Sequence, residues 1–138
     1  MIVKSVLLDC SRERAFMLFT EQAGEWWPVD RRHTRDASSV IRIEASGRFF
    51  ERARDGTEAA LGHVRSFEAP RRLVLDWFPG TGPDAPTRVE VDFESIGDRT
   101  RVTITHDVGD AGAERFDRNA ATYARSWDLV LAAWRGHA

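Results

Sequence analysis

Residues 111–136 read AGAERFDRNAATYARSWDLVLAAWRG, and their apolar side chains recur with helical spacing. Steps of four, three, four, three and four residues separate the members of one stripe, which are Phe116, Ala120, Tyr123, Trp127, Val130 and Trp134. This period places all six on one helix face. A helix of this length is about 37 Å long, enough to cross a sheet of six or seven strands. The segment therefore predicts a long C-terminal helix packed against a sheet.

The preceding sequence predicts that sheet. Residues 2–8 form an apolar, β-branched run, and Ser11 then offers an N-cap oxygen to a short helix. From residue 39 onward, segments of alternating apolar and polar residues are separated by turn residues, which is typical of an antiparallel meander. Six further strands are predicted at 39–45, 48–54, 59–68, 72–78, 87–94 and 100–107.

These elements together predict a single α+β domain over residues 1–138 with a helix-grip fold. In this fold a curved antiparallel sheet of about seven strands wraps a long C-terminal helix, and two short helices follow strand 1. The run Trp26-Trp27-Pro28 closes the helical region, because the proline pushes the residue before it out of the α conformation. The polar stretch 29–38 is predicted to be a loop.

Composition excludes several classes of partner. The chain has 20 Lys and Arg against 22 Asp and Glu, so no basic excess is available for nucleic acid or for an anionic membrane surface. No stretch approaches the roughly 20 apolar residues of a membrane span. A single cysteine, Cys10, cannot form an internal disulfide, which fits a reducing compartment. We therefore expect a soluble, cytoplasmic protein that binds neither nucleic acid nor membrane.

Strand alternation and the helix stripe together predict an apolar cavity. Large aromatic side chains under a curved sheet leave gaps of the kind that line small-molecule pockets. The residues predicted to line the cavity are Trp27, Phe49, Glu51, Trp77, Val91, Phe93, Ile104, His106, Phe116, Tyr123 and Trp127. The alternative is that this aromatic surface is core packing and encloses no space.

The order of these elements and their spaced motifs resembles the activator-of-Hsp90-ATPase-like family within the Bet v 1/START-like superfamily. The resemblance covers nearly the whole chain. It is carried by Ala15-Phe16, Trp26-Trp27-Pro28, Gly47-Arg48-Phe49, Asp55-Gly56, Pro70 to Val74 followed by Trp77, Thr100 to Thr103 with His106, and Trp127. It implies a ligand-binding or regulatory domain, with cyclases and dehydratases among the relatives. The chain has Ser126-Trp127 where the common pattern of the last helix is Gly-Trp.

Catalytic chemistry has one leading candidate. His106 shares a strand face with Val102 and Ile104, so an inward position could make it a general acid or base. Glu51 has the parity of Phe49 and is a secondary candidate, whereas Asp76 has the opposite parity to its apolar neighbours and is predicted to lie outside.

Metal and phosphate sites are not predicted. The four histidines stand in no recognised ligand spacing, and Gly80-Thr81-Gly82 has no following Gly-Lys-Ser/Thr, so it is interpreted as a hairpin loop. No cofactor is predicted.

Three functions remain as hypotheses at this stage. The first is non-enzymatic binding of a small hydrophobic or amphipathic ligand between the sheet and the helix stripe. The second is a cyclase-like or hydrolase-like enzyme that uses His106. The third is an interaction module for Hsp90-type chaperones, which rests on the family resemblance alone, and a homodimer is a further open alternative.

Overall fold

A computed structural model describes residues 1–79 and 82–138. Within these ranges the chain forms seven strands, two α-helices and two short 3₁₀ turns. The strands are β1 (Ile2–Leu8), β2 (Val40–Ile43), β3 (Arg48–Arg52), β4 (Glu58–Glu68), β5 (Arg72–Trp77), β6 (Thr87–Ile96) and β7 (Arg99–Asp107). The helices are α1 (Arg12–Thr20) and α2 (Ala113–His137), and the 3₁₀ turns are Ala23–Glu25 and Val29–Arg31.

The seven strands form one antiparallel sheet in the order β1-β7-β6-β5-β4-β3-β2. Strands β2 to β7 follow one another as a meander, and β1 adds to the far side of β7, with Val6 opposite Val102. The N-terminal strand and β2 therefore occupy opposite edges although they are neighbours in sequence. This curled sheet with a long C-terminal helix confirms the predicted helix-grip fold.

The N-terminal helix and the long helix begin and end close to the predicted positions. Ser11 caps α1 by accepting a hydrogen bond from the Arg14 backbone N–H at 3.2 Å. Strand β2 is shorter than predicted, because the Gly47 N–H donates to the Glu44 carbonyl at 2.9 Å and closes a turn over residues 44–47. The predicted stripe of α2 is buried at four of its six positions, and Ala120 and Tyr123 are half-buried. No helix in the described part of the chain is long and apolar enough to cross a membrane.

Aromatic side chains under the sheet divide into two groups. The first, which we call the inner cluster, consists of Phe16, Phe19, Trp26, Phe93 and Trp134. Trp134 is fully buried, with ring centroids 4.8 Å from Phe19 and 5.3 Å from Trp26. The Trp26 indole N–H donates to the Leu18 carbonyl at 2.8 Å, which ties α1 to this cluster. The inner cluster is core packing between α1, the sheet and the end of α2.

The second group, which we call the cavity cluster, consists of Trp27, Phe49, Trp77 and Trp127. Trp77 is its centre, with ring centroids 4.9 Å from Trp127, 5.1 Å from Phe49 and 6.5 Å from Trp27. Adjacent residues Trp26 and Trp27 therefore belong to different clusters, so the two consecutive tryptophans join the core to the cavity cluster.

Gly62 on β4 makes room for the cavity cluster. It pairs with Phe49 on β3 and with Trp77 on β5. A Cβ atom at this position would lie 2.1 Å from the Asp76 carbonyl oxygen and 2.7 Å from the Phe49 ring. Only glycine fits here, because any side chain would displace the Phe49 ring or the Asp76 backbone.

Substituting Gly62→Ala is expected to destabilise the fold by about 3 kcal/mol, because the methyl group meets backbone that cannot move without breaking the β4–β5 pairing. Urea unfolding followed by circular dichroism measures the loss. Gly136→Ala in the last turn of α2 is the matched control, since its Cβ has open space, and it should stabilise the protein by less than about 1 kcal/mol. Equal unfolding midpoints for Gly62→Ala and the wild type would contradict the steric account.

Candidate functional site

A cavity of about 410 Å³ opens between the cavity cluster, helix α2 and the loop that follows Pro28. This volume lies within the range of about 300–1,000 Å³ that is usual for small-molecule pockets. Its lining residues are Trp27, Asp30, Arg31, Arg32, His33, Arg35, Phe49, Leu61, Trp77, Pro79, Thr122, Tyr123, Ser126, Trp127 and Val130. Most of the apolar members come from the sheet and α2, whereas all of the charged members come from the loop.

That loop, residues 29–38, is called the cavity loop below, and Arg32 fixes its position. The Arg32 guanidinium is buried and donates four hydrogen bonds, to the carbonyls of Gly24, Trp27 and Ser39 and to the Ser39 hydroxyl, at 2.7–3.0 Å. Burial lowers the pKa of Arg32, while the charges of Glu51 and Asp36 oppose that shift. The charged side chain of Arg32 therefore holds the loop through buried hydrogen bonds and is not a solvated surface group.

Glu51 on strand β3 anchors the cavity loop. Its side chain is fully buried and accepts hydrogen bonds from the backbone N–H groups of His33 at 2.8 Å and Thr34 at 3.1 Å, and from the Thr34 hydroxyl. Burial alone would raise the pKa of this carboxyl, but the hydrogen bonds from Thr34 and His33 together hold it below its usual value. Glu51 is therefore ionised and positions the cavity loop; it does not line the cavity.

Two arginines of the cavity loop face the cavity without a salt bridge. Within the described ranges, no carboxylate lies within 4 Å of the guanidinium of Arg31 or Arg35. The Nε atom of Arg31 is buried and has no hydrogen-bond partner among the described residues. Arg35 has a backbone φ of 61°, a left-handed conformation that is uncommon for a residue other than glycine. These features give one wall of the cavity a positive charge.

His106 lies behind the cavity cluster, fully buried and bonded at both ring nitrogens. The Trp127 indole N–H donates to Nδ1 at 3.0 Å, and since an indole can only donate, Nδ1 carries no proton. The ring proton is therefore on Nε2, which donates to the Thr87 hydroxyl at 2.7 Å, and that hydroxyl donates to the Trp77 carbonyl at 3.1 Å. This hydrogen-bonded chain connects α2 to β7, β6 and β5.

The pKa of His106 is lowered to about 4, chiefly by burial, and the nearby Asp107 charge opposes the shift. Protonation would also place a second donor against the Trp127 indole N–H. At physiological pH His106 is therefore neutral, and its hydrogen bonds link helix α2 to the sheet.

Five residues predicted for the cavity do line it: Trp27, Phe49, Trp77, Tyr123 and Trp127. The other six are buried elsewhere. Val91, Phe93 and Ile104 are covered by core packing, and Phe116 packs against the His106 ring at 5.6 Å. Glu51 and His106 are occupied by the bonds described above. Alternation identifies which strand face points inward, but where α1 and α2 cover that face the space is filled.

The charged wall of the cavity was not predicted. Its residues belong to the run Arg31-Arg32-His33-Thr34-Arg35, which lies in the stretch 29–38 predicted to be a polar loop. The available signal was the position of this arginine-rich run, directly after Trp26-Trp27-Pro28. Asp76 lies on the outer face of the sheet as predicted, but it is covered there by Arg65 and Arg88, each at 3.2 Å.

Two other sites considered from the sequence add nothing to the cavity. Across residues 1–79 and 82–138, no group of three or more His, Cys, Asp or Glu side chains could hold a metal ion. Of the Gly80-Thr81-Gly82 run, Gly80 and Thr81 lie outside the described residues.

The sequence matches the family described as activator of Hsp90 ATPase homolog 1-like protein over residues 9–133. The chain belongs to this family. No curated protein is significantly similar to it in sequence. The family assignment confirms the resemblance inferred from the spaced motifs and agrees with a fold of the ligand-binding type.

Solved structures of this fold extend the comparison. CalC from Micromonospora echinospora, described as a self-sacrificing resistance protein, is 27% identical, with a TM-score of 0.75 over 99% of this chain and 92% of CalC. Txn09, described as an anthrahydroquino-γ-pyrone synthase, is 26% identical, with a TM-score of 0.57 over 97% of this chain and 86% of Txn09. Protein Ms6760 from Mycobacterium smegmatis is 14% identical with a TM-score of 0.68, covering 97% of this chain and 87% of its own, and shows the fold alone.

The bonded state of His106 predicts a pH dependence of stability. The unfolded chain binds this proton near pH 6.5 and the folded chain only near pH 4, so acid favours unfolding in that window. The free energy of unfolding should therefore fall by about 3 kcal/mol through this group as the pH drops from 7 to 4. Urea titrations at several pH values measure the difference between the wild type and His106→Gln.

The advantage of the wild type over His106→Gln should shrink by that amount, since the carboxylates titrate in both proteins. His33→Gln is the matched control, because the His33 side chain is exposed, and it should retain the wild-type pH profile. Parallel profiles for the wild type and His106→Gln would show that the His106 ring is not held neutral by the fold.

Removing the charge of Glu51 tests the anchoring of the cavity loop. Glu51→Gln keeps the size of the side chain but weakens the bonds to His33 and Thr34, so a loss of about 2 kcal/mol is expected at pH 7. Thermal and urea unfolding measure the loss. Glu21→Gln, an exposed position after α1, should change stability by less than about 0.5 kcal/mol. If both variants were equally stable, Glu51 would not be the anchor.

Proposed function

We propose that this protein binds a small hydrophobic or amphipathic molecule in the cavity, without converting it chemically, as a carrier, sensor or regulatory domain. The observation that carries the proposal is the cavity of about 410 Å³ beside the packed hydrophobic core. Side chains that could close this space are held away from it. Trp127 is bonded to His106, and the Phe49 ring lies over Gly62.

The lining favours a flat, largely apolar ligand. Aromatic rings of the cavity cluster present faces and edges against which a planar ring system can pack. The hydroxyl groups of Thr122, Tyr123 and Ser126 add hydrogen-bonding capacity along one side, from α2. Such a mixture of apolar walls with a few polar groups is typical of small-molecule sites.

The solved relatives support a ligand of this kind. Txn09 is named for the synthesis of an anthrahydroquino-γ-pyrone, a name that denotes fused rings, and CalC is named as a resistance protein. Both share this fold with identities above a quarter. Binding of a fused-ring compound here is therefore a reasonable extension of the cavity's shape and lining.

The position of His106 favours binding over catalysis. A general acid or base must reach the reacting group, but both His106 nitrogens are engaged, and the side chain lies behind Trp77 and Trp127. The enzyme alternative thus loses the residue on which it was based. The chaperone alternative rests on the family description alone.

Filling the cavity should weaken binding. Ser126 lines the cavity from α2, so Ser126→Phe is expected to weaken binding of the neutral fluorophore N-phenyl-1-naphthylamine at least tenfold, by occupying its space. Fluorescence titration measures the affinity. Ala121→Phe, on the exposed side of the same helix, should bind like the wild type. Binding to the wild type that Ser126→Phe leaves unchanged would place the probe elsewhere, and no binding to the wild type would overturn the proposal.

A further inference from the structure

We infer that the ligand is a planar aromatic acid, whose anionic oxygen group is bound by Arg31 and Arg35 while its rings pack on the cavity cluster. This inference rests on the proposed binding function and specifies its ligand class. It follows from the charge of the cavity wall, the unpartnered state of its guanidinium groups and the way the cavity loop is held.

The charge of the wall is unbalanced. Three arginines line the cavity, and among the described residues the carboxylate of Asp30 is the one acidic group that lines it with them. Arg32 is occupied by its four hydrogen bonds to Gly24, Trp27 and Ser39. Arg31 and Arg35 have no acidic partner within 4 Å in the described part of the chain. The cavity therefore presents two guanidinium groups and a surplus of positive charge.

Other arginines near the cavity loop are already paired. Arg54 bonds to Asp36 at 3.2 Å, and Arg48 and Arg52 share Glu58 at 2.7–2.8 Å. Asp36, the acidic residue next to Arg35, is thus used by Arg54 and by the backbone N–H groups of Ser38 and Arg54. The carboxylate adjacent in sequence is not free to neutralise Arg35.

Arg31 contains a polar group that lacks an acceptor. Its Nε–H is buried without a hydrogen-bond partner among the described residues. Because this Nε atom is closed to the cavity as well as to solvent, the Nη groups of Arg31 are the donors that a ligand can reach. A carboxylate suits these donors, because a guanidinium presents parallel N–H groups that match its two oxygens.

Arg35 has a strained backbone conformation that the surrounding hydrogen bonds hold in place. Its φ of 61° persists because its N–H donates to the Arg32 carbonyl at 3.3 Å. Glu51 also anchors the intervening residues His33 and Thr34 through their backbone N–H groups. Strain of this kind survives where surrounding bonds fix the conformation, and it occurs often at ligand sites. The arginine is thereby presented to the cavity before a ligand arrives.

The two halves of the cavity suit the two halves of such a ligand. Trp27 and Phe49 are 8% and 2% exposed, whereas Arg35 is exposed to solvent. The apolar lining thus lies deep and a charged group lies toward the opening. An aromatic ring system with its acid directed outward satisfies both, whereas a neutral apolar molecule leaves the arginines without an acceptor.

The test compares two probes of matched size and shape, the anion 2-naphthoate and the neutral 2-naphthamide, by isothermal titration calorimetry at neutral pH and low salt. We expect the wild type to bind the acid about tenfold more tightly than the amide, and this preference to fall as salt is added. Arg31→Gln and Arg35→Asn should each reduce the preference for the acid severalfold, with a smaller loss of amide binding, because the neutral amide oxygen is a weaker acceptor than a carboxylate. Asparagine is chosen at residue 35 because it tolerates the left-handed conformation.

Arg52→Gln is the matched control, since it removes a nearby arginine while its partner Glu58 stays paired with Arg48, and it should keep the wild-type preference. Equal binding of acid and amide, or a preference that survives both arginine substitutions, would overturn the inference and leave the proposed binding function standing. Absence of binding by either probe at millimolar concentration would overturn both. Circular dichroism of each variant identifies any loss of affinity that comes from unfolding.

Discussion

The hydrogen-bonded chain from Trp127 through His106 and Thr87 to the Trp77 carbonyl anchors the long helix to the sheet. The hydrophobic effect that buries the α2 stripe is not directional. Alone it would allow the helix to shift or rotate on the apolar face of the sheet. Three linked hydrogen bonds in a dry interior require one arrangement, because breaking any one leaves buried polar groups without partners. Helix position, and with it the cavity wall, therefore depends on His106 remaining neutral.

This chain also explains why a cavity persists in so small a protein. A space of this size lined by aromatic groups would normally be reduced by side chains moving into it, since every unfilled volume forfeits dispersion contacts. Here the Trp127 ring cannot turn toward the space without losing its bond to His106. The Trp77 backbone is bonded by Thr87, and the Phe49 ring is held against Gly62. The walls are rigid because their other contacts are already satisfied.

Sequence reasoning recovers the fold because its signals are local and periodic. The spacing from Phe116 to Trp134 and the alternation of the strands both reflect which face is buried, and both appear in the structure. The same periodicity puts Phe49, Trp77, Tyr123 and Trp127 on inward faces, and these four lie on the cavity wall. His106 was placed inward correctly, but alternation cannot show that Trp127 and Thr87 occupy its two nitrogens, because these residues lie 21 and 19 positions away. Such long-range pairings are set by packing and not by pattern.

The cavity loop shows the opposite case, in which composition points away from the structure. An arginine-rich polar run is normally solvated, yet Arg32 and Glu51 are buried, and their charges bond mainly to backbone groups rather than directly to each other. Desolvating two opposite charges to hold ten residues of loop is costly, the more so because Arg32 Nε has no hydrogen-bond partner among the described residues. That expenditure is explained if the loop must be rigid to present Arg31 and Arg35. A loop that only closed the fold could be held by apolar contacts, whereas one that orients guanidinium groups over an aromatic cavity needs fixed geometry. The buried charges of Arg32 and Glu51 then serve to position the unpaired guanidinium groups of the neighbouring loop residues.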